Sequence, residues 1–261
     1  MGTAAALLLT MVLTPAPVAP EYVALGDSYA AGVGAGDYDA GSGQCRRSHN
    51  AYPELWQSVH GYASFRFAAC SGATTQNVLD SQASELTAGT GLVTLTVGGN
   101  DIGFADVMTT CTLGSDRSCV AAVDRSRQVI ATEVPGRLDR VFGQVKTQAP
   151  GARVVVLGYP RLFEQRDCLG GLSEAKRNAI NAGADQLADV TAARAASAGA
   201  TFVDMRTSFA GHGICGAEPW LHALTSPTGD SYHPNGAGQA AYAAALEARG
   251  DSAANSTYRE R

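Results

Sequence analysis

Five short apolar runs punctuate the chain, at residues 22–25, 65–68, 92–97, 153–157 and 201–204. The third and fourth are almost free of polar side chains, the pattern of strands covered on both faces. Between them the apolar positions change to a helical period. Residues 51–59 read as a short helix, 75–86 as an amphipathic one, and 119–147 as a long helix interrupted at Pro135. In 173–198, Ala179, Ile180, Ala184, Leu187 and Val190 recur at helical spacing, and 235–249 reads as a closing alanine-rich helix. Residues 32–47 and 104–119 read as loops. Strands alternating with helices predict an α/β fold, a parallel sheet with helices on both faces.

No repeat, charge block or linker interrupts residues 20–249, which read as one domain, and the small, polar residues 250–261 predict a flexible tail. Residues 1–19 read as a secretory signal. Ala4 to Val12 are small or apolar, Pro15 and Pro17 follow, and the stretch is too short to span a membrane. Its first residues, Met1-Gly2-Thr3, lack the usual lysine or arginine.

Hydrophobic residues make up 45% of the chain and charged residues 16%, a globular composition. A net charge of -5 offers no basic face, which argues against a nucleic-acid partner. No phosphate-binding glycine loop with lysine and no metal-like Cys/His spacing occurs, so no cofactor or metal is expected. The chain is expected to be monomeric. The six cysteines are Cys45, Cys70, Cys111, Cys119, Cys168 and Cys215, with no Cys-x-x-Cys pair. In an exported chain an even set predicts disulfides. Many pairings are open. Joining nearest neighbours is preferred, because it staples three successive loops without crossing the core.

Open parallel sheets gather ligands at the carboxyl ends of their strands. Ser28, Gly72 and Asn100 each fall just beyond such an end. A serine hydroxyl needs a base to become a nucleophile. Of the five histidines, only His233 has a carboxylate three residues upstream, Asp230, in a turn stiffened by Pro234. Asp230 is positioned in sequence to accept from Nδ1–H, turning Nε2 to Ser28 and raising the imidazole pKa. The Ser28 and Gly72 N–H groups and the Asn100 amide would meet charge developing on a carbonyl oxygen, with glycine at 72 allowing close approach. Asp101 reads as a helix cap, and Asp27 has the same alternative.

Each fragment alone has a plain structural reading: a turn, a tight connection, a surface histidine. Their order at successive strand ends points to acyl transfer. A non-catalytic binding domain is the contrasting class, and a serine-ester probe separates the two. The α/β-hydrolase arrangement is disfavoured, since no Gly-x-Ser-x-Gly occurs and Ser28 precedes most of the sheet.

Gly26-Asp27-Ser28-Tyr29, Gly72, Gly98-Gly99-Asn100-Asp101 and Asp230-x-x-His233-Pro234 resemble the four blocks of the SGNH (GDSL) hydrolase superfamily. Within it, residues 24–29, 69–73 and 156–161 and the six cysteines are similar to secreted Streptomyces lipases and phospholipases. The resemblance implies a flavodoxin-like three-layer sandwich with strand order 2-1-3-4-5. It implies disulfides 45–70, 111–119 and 168–215, Ser28 as nucleophile, His233 as base, and Ser28, Gly72 and Asn100 as oxyanion donors. It further implies a secreted ester hydrolase acting on lipid or other acyl esters, with a phospholipase A1 or acyltransferase as the alternative within enzymes. Some relatives orient the histidine with a backbone carbonyl just before it, here that of Ser231. Asp230 is the preferred orienting group because a carboxylate also stabilises the imidazolium. A polysaccharide deacetylase is less favoured, with only Trp56 and Trp220 available as sugar platforms.

Overall fold

The computed structural model describes residues 19–169 and 171–258. Most of the segment read as a signal, and the last three residues of the tail, lie outside the described residues. Five strands form one parallel sheet: β1 (Glu21–Gly26), β2 (Ser64–Phe67), β3 (Thr90–Thr96), β4 (Arg153–Leu157) and β5 (Thr201–Val203), in the order β2-β1-β3-β4-β5. The helices are α1 (Ser28–Ala31), α2 (Tyr52–Val59), α3 (Thr75–Asn77), α4 (Phe104–Leu113), α5 (Asp116–Thr132), α6 (Val134–Gln148), α7 (Glu174–Ser197), α8 (Met205–Ser208) and α9 (Gly236–Tyr258).

Strand alternation divides the core into two layers. Tyr22, Ala24, Leu92, Val155 and Leu157 pack with Tyr52 and Trp56 of α2 and Tyr242 and Leu246 of α9. Val23, Leu25, Val93, Leu95 and Val156 face the other way, against Ile130 of α5, Leu138 and Phe142 of α6, and Leu187 of α7. Helices on both faces explain why the central runs are largely apolar.

Three elements differ from the sequence expectation. Residues 104–113, expected within a loop, form α4, which Cys111–Cys119 ties to α5. The expected helix over 75–86 is only one turn of α3 followed by wide and tight turns. There the Thr74 and Asn77 side chains cap each other's amides, and Gln82 leaves the helical pattern to bond both N–H and C=O of Gly26. Finally, α9 runs on to Tyr258, past the expected tail boundary at Gly250.

The disulfides pair Cys45 with Cys70, Cys111 with Cys119, and Cys168 with Cys215, leaving no free cysteine. The first ties the loop before α2 to the segment after β2 that carries Gly72. The third joins the connection after β4 to the loop after α8.

Candidate active site

The chain leaves β1 through Gly26, whose φ of +134° suits glycine and where a Cβ would lie 2.4 Å from the Thr96 carbonyl oxygen. This turn delivers Ser28 to the first position of α1. Asp27 caps that helix, its Oδ1 accepting the Tyr29 N–H at 2.9 Å. Ser28 is 8% exposed, and its Oγ lies 2.8 Å from His233 Nε2. The two residues are far apart in sequence and meet because β1 and the turn before α9 end at the same edge of the sheet.

His233 is held from behind by backbone. Its Nδ1 lies 2.9 Å from the Ser231 carbonyl, so Nδ1 carries the proton and Nε2 is left to accept from Ser28. The turn is gripped from two sides. Tyr29 donates its hydroxyl to the Tyr232 carbonyl at 2.7 Å, and the Tyr232 hydroxyl meets that of Thr112 on α4 at 2.7 Å. Tyr232 itself takes a φ of +63°.

Asp230 does not reach the imidazole, and the expectation that it orients His233 is corrected here. Its carboxylate is bound by the Arg46 guanidinium and accepts from the Tyr38 hydroxyl at 3.0 Å. The Asp-x-x-His spacing places both residues in one turn, but the turn directs their side chains to different partners. The expected rise in the His233 pKa is reversed as well. Burial lowers it from 6.5 to about 4, with Arg46 pushing the same way and the Ser231 carbonyl and Asp230 opposing.

Asn100 follows β3 in a tight turn, and its Nδ2 donates to the Ala73 carbonyl at 3.0 Å. An amide nitrogen carries two hydrogens, so this bond orients the group and leaves a second donor. Gly72 lies next to Ala73 with a φ of +79°, and a Cβ there would meet no protein atom within 4 Å. That φ lies in the left-handed region that glycine adopts without strain. Asp101 is structural: it accepts from the Thr75 N–H at 2.9 Å and pairs with Arg137 at 3.2 Å. It caps α3 from a distance instead of its own turn.

The remaining histidines stay away from Ser28. His49 stands 3.4 Å from the Asp37 carboxylate, His60 stacks on Trp56, His212 stacks on Trp220, and His222 Nε2 bonds the Gly34 carbonyl. Among the described residues no group of three or more His, Cys, Asp or Glu side chains is arranged to hold a metal ion.

Ser28 and Asn100 open onto a cleft walled by Ile102, Phe104, Val107, Met108, Leu162, Ile180 and Leu187. Asp27 and Tyr159 stand at its polar end. Burial pushes the Asp27 carboxyl up to about 7, against hydrogen bonds from Tyr159 and from the Tyr29 amide.

Residues 24–241 match the GDSL-like lipase/acylhydrolase family. The chain belongs to this family. Among solved structures it is similar to phospholipase A1 from Streptomyces albidoflavus NA297, at 50% identity and a TM-score of 0.87 over 88% of this chain and 99% of that one. It is likewise similar to an extracellular lipase from Streptomyces rimosus, at 49% identity and a TM-score of 0.86 over 88% of this chain and 99% of that one. Lipase 1 of Streptomyces coelicolor is 50% identical over 85% of this chain and 83% of its own length. Sequence reasoning toward this family site passed over four contributors: Arg46, Tyr38, Tyr29 and Tyr159. Tyr29 and Tyr159 lie in runs already noted for the resemblance, 26–29 and 156–161, and Arg46 follows Cys45, yet nothing in those runs assigns the side chains a role.

Proposed function

We propose that the protein is an extracellular serine hydrolase that cleaves acyl esters of lipids through an acyl-enzyme on Ser28. The observation that carries this reading is the 2.8 Å approach of His233 Nε2 to Ser28 Oγ at the mouth of an apolar cleft. His233 takes the Ser28 proton as Oγ bonds to the ester carbonyl carbon. The Ser28 and Gly72 N–H groups and the free hydrogen of the Asn100 amide stabilise the resulting oxyanion. When the C–O bond breaks, the alcohol leaves with the proton from Nε2. Water then gives a proton to Nε2 and attacks the acyl-enzyme, the carboxylic acid departs, and Oγ regains its proton. Ser28 and His233 form a dyad supported from behind by the Ser231 carbonyl, with no carboxylate among the described residues hydrogen-bonded to the imidazole.

The predominantly apolar cleft walls suit a hydrocarbon chain better than a sugar. Three disulfides fit an oxidising compartment, as does the apolar segment at residues 4–12. No helix among the described residues is long and apolar enough to cross a membrane. Ser28→Ala should abolish turnover of a short-chain aryl ester and labelling by a fluorophosphonate, with an unchanged melting temperature. Residual turnover above a trace in a clean preparation would remove Ser28 as nucleophile. The likeness to a phospholipase A1 supports phosphatidylcholine as a second substrate, and triacylglycerol and phosphatidylcholine assayed side by side divide the two.

A further inference from the structure

Tyr159 has no part in the acyl transfer just described, yet its hydroxyl joins the two strand ends on which that chemistry rests. It lies in the connection after β4. Its oxygen donates to Asp27 Oδ2 and accepts from the Gly99 N–H at 3.0 Å. Asp27 directly precedes Ser28, and Gly99 directly precedes Asn100. The other Asp27 oxygen is taken by the Tyr29 N–H, and Asp27 as a whole is 1% exposed, so this carboxylate is a fixed anchor. The Tyr159 ring is set edge-on to Tyr29 with centroids 5.1 Å apart, which locks the direction of its hydroxyl.

We propose that Tyr159 is a positioning residue for the oxyanion donor: its hydroxyl, clamped between Asp27 and the Gly99 amide, sets where Asn100 stands relative to Ser28. The inference rests on the ester-hydrolase reading. A hydroxyl donates and accepts through one atom, so a single oxygen ties two loops that share no other side-chain bond among those described. Asn100 is then fixed at both ends, its backbone through Gly99 and its side chain through the Ala73 carbonyl. Such double fixing matters because an oxyanion donor is effective only when it is aimed beforehand at the place where charge develops. Tyr159 also borders the cleft, so a ring of the same size must be kept in any test.

Tyr159→Phe removes the oxygen and keeps the ring. The kcat and KM for a soluble short-chain aryl ester are measured for this variant, for Asn100→Ala, and for the double variant, with thermal denaturation run on each. Tyr159→Phe should lower kcat by roughly 10–100-fold, less than the roughly 10²–10³ for losing a donor outright, with KM within about twofold. In the Asn100→Ala background the same change should cost less than about threefold, because the group it positions is gone. An unchanged kcat, a loss confined to KM, or an equal loss in both backgrounds would overturn the proposal. If Tyr159→Phe does not fold, Asp27→Asn takes its place in the same cycle. It can still accept from the Tyr29 amide, but it presents an N–H where the Tyr159 proton needs an acceptor. Equal losses in both backgrounds would again refute the clamp. A wild-type protein without esterase activity would instead sink the hydrolase reading, and the proposal with it.

Discussion

Replacing Asp230 with Asn removes a negative charge at nearly constant size, and the contacts around the turn set how much that should matter. In a triad the orienting acid holds the histidine tautomer, and losing it costs about 10⁴ in kcat. Here Nδ1 is held by the Ser231 carbonyl at 2.9 Å, while the Asp230 carboxylate is engaged by Arg46 and Tyr38. Asp230→Asn should therefore lower kcat/KM by less than about tenfold. The pH profile carries a second, independent expectation. His233 must be neutral to accept the serine proton, so kcat/KM rises with pH through its pKa and then levels. Burial holds that pKa at about 4, below the ordinary 6.5, which places the rising limb in acid and the plateau across neutral pH. Asp230 pushes the pKa up, but less than burial or Arg46 push it down. Removing its charge should move the limb to lower pH by less than about one unit. Product release from a soluble ester, quantified by chromatography between about pH 3 and 9, reads both quantities. A loss of about 10³ or more, or a wild-type limb near the ordinary histidine value, would refute the backbone-supported dyad.

Three further outcomes follow from the same geometry. Asn100→Ala should lower kcat by roughly 10²–10³ with little change in KM, and an effect on KM alone would make Asn100 a binding residue only. Gly183→Leu should suppress long-chain ester hydrolysis while sparing acetyl and butyryl esters, because residue 183 lines the cleft and a Cβ there meets only Val123 Cγ1, at 3.4 Å; equal loss across chain lengths would exclude this cleft as the acyl site. Replacing Cys168 and Cys215 together with Ser opens a loop of sequence separation 47 and should cost about 2–4 kcal/mol, seen as a lower melting temperature than for the wild type. An unchanged melting temperature would show that the bridge constrains little.

The sheet was legible because a strand buried on both faces leaves a local mark: the runs at 92–97 and 153–157 stand out without any knowledge of their partners. The placement of Ser28 and Asn100 on one cleft was legible for a related reason, since a parallel sheet brings its strand ends to one edge. What escaped was decided by contacts between distant residues. The period over 75–86 looked helical, but the Gln82 amide serves the end of β1 and breaks it. The residues 104–113 looked loop-like because α4 is short and mixed in character, and its packing against the cleft and its disulfide to α5 supply what propensity does not.

Asp230 shows the limit most clearly, and also what the arrangement achieves. Three residues of spacing say that a carboxylate shares a turn with His233, but its direction is set by Arg46, far away in sequence, and by the left-handed Tyr232 between them. The resulting base is buried and weakly basic in the resting enzyme, so it stays neutral well into acid. A carboxylate against Nδ1 would raise that resting basicity and close off activity at low pH. In the proposed mechanism the imidazolium instead gains its counter-charge only when the oxyanion forms beside it. Stabilisation confined to that moment lowers the barrier without charging the resting histidine. The burden of holding the charge then shifts from an acid behind His233 to the donors in front of Ser28. A dyad of this kind depends more heavily on the placement of Asn100, which is where the Asp27–Tyr159–Gly99 clamp acts.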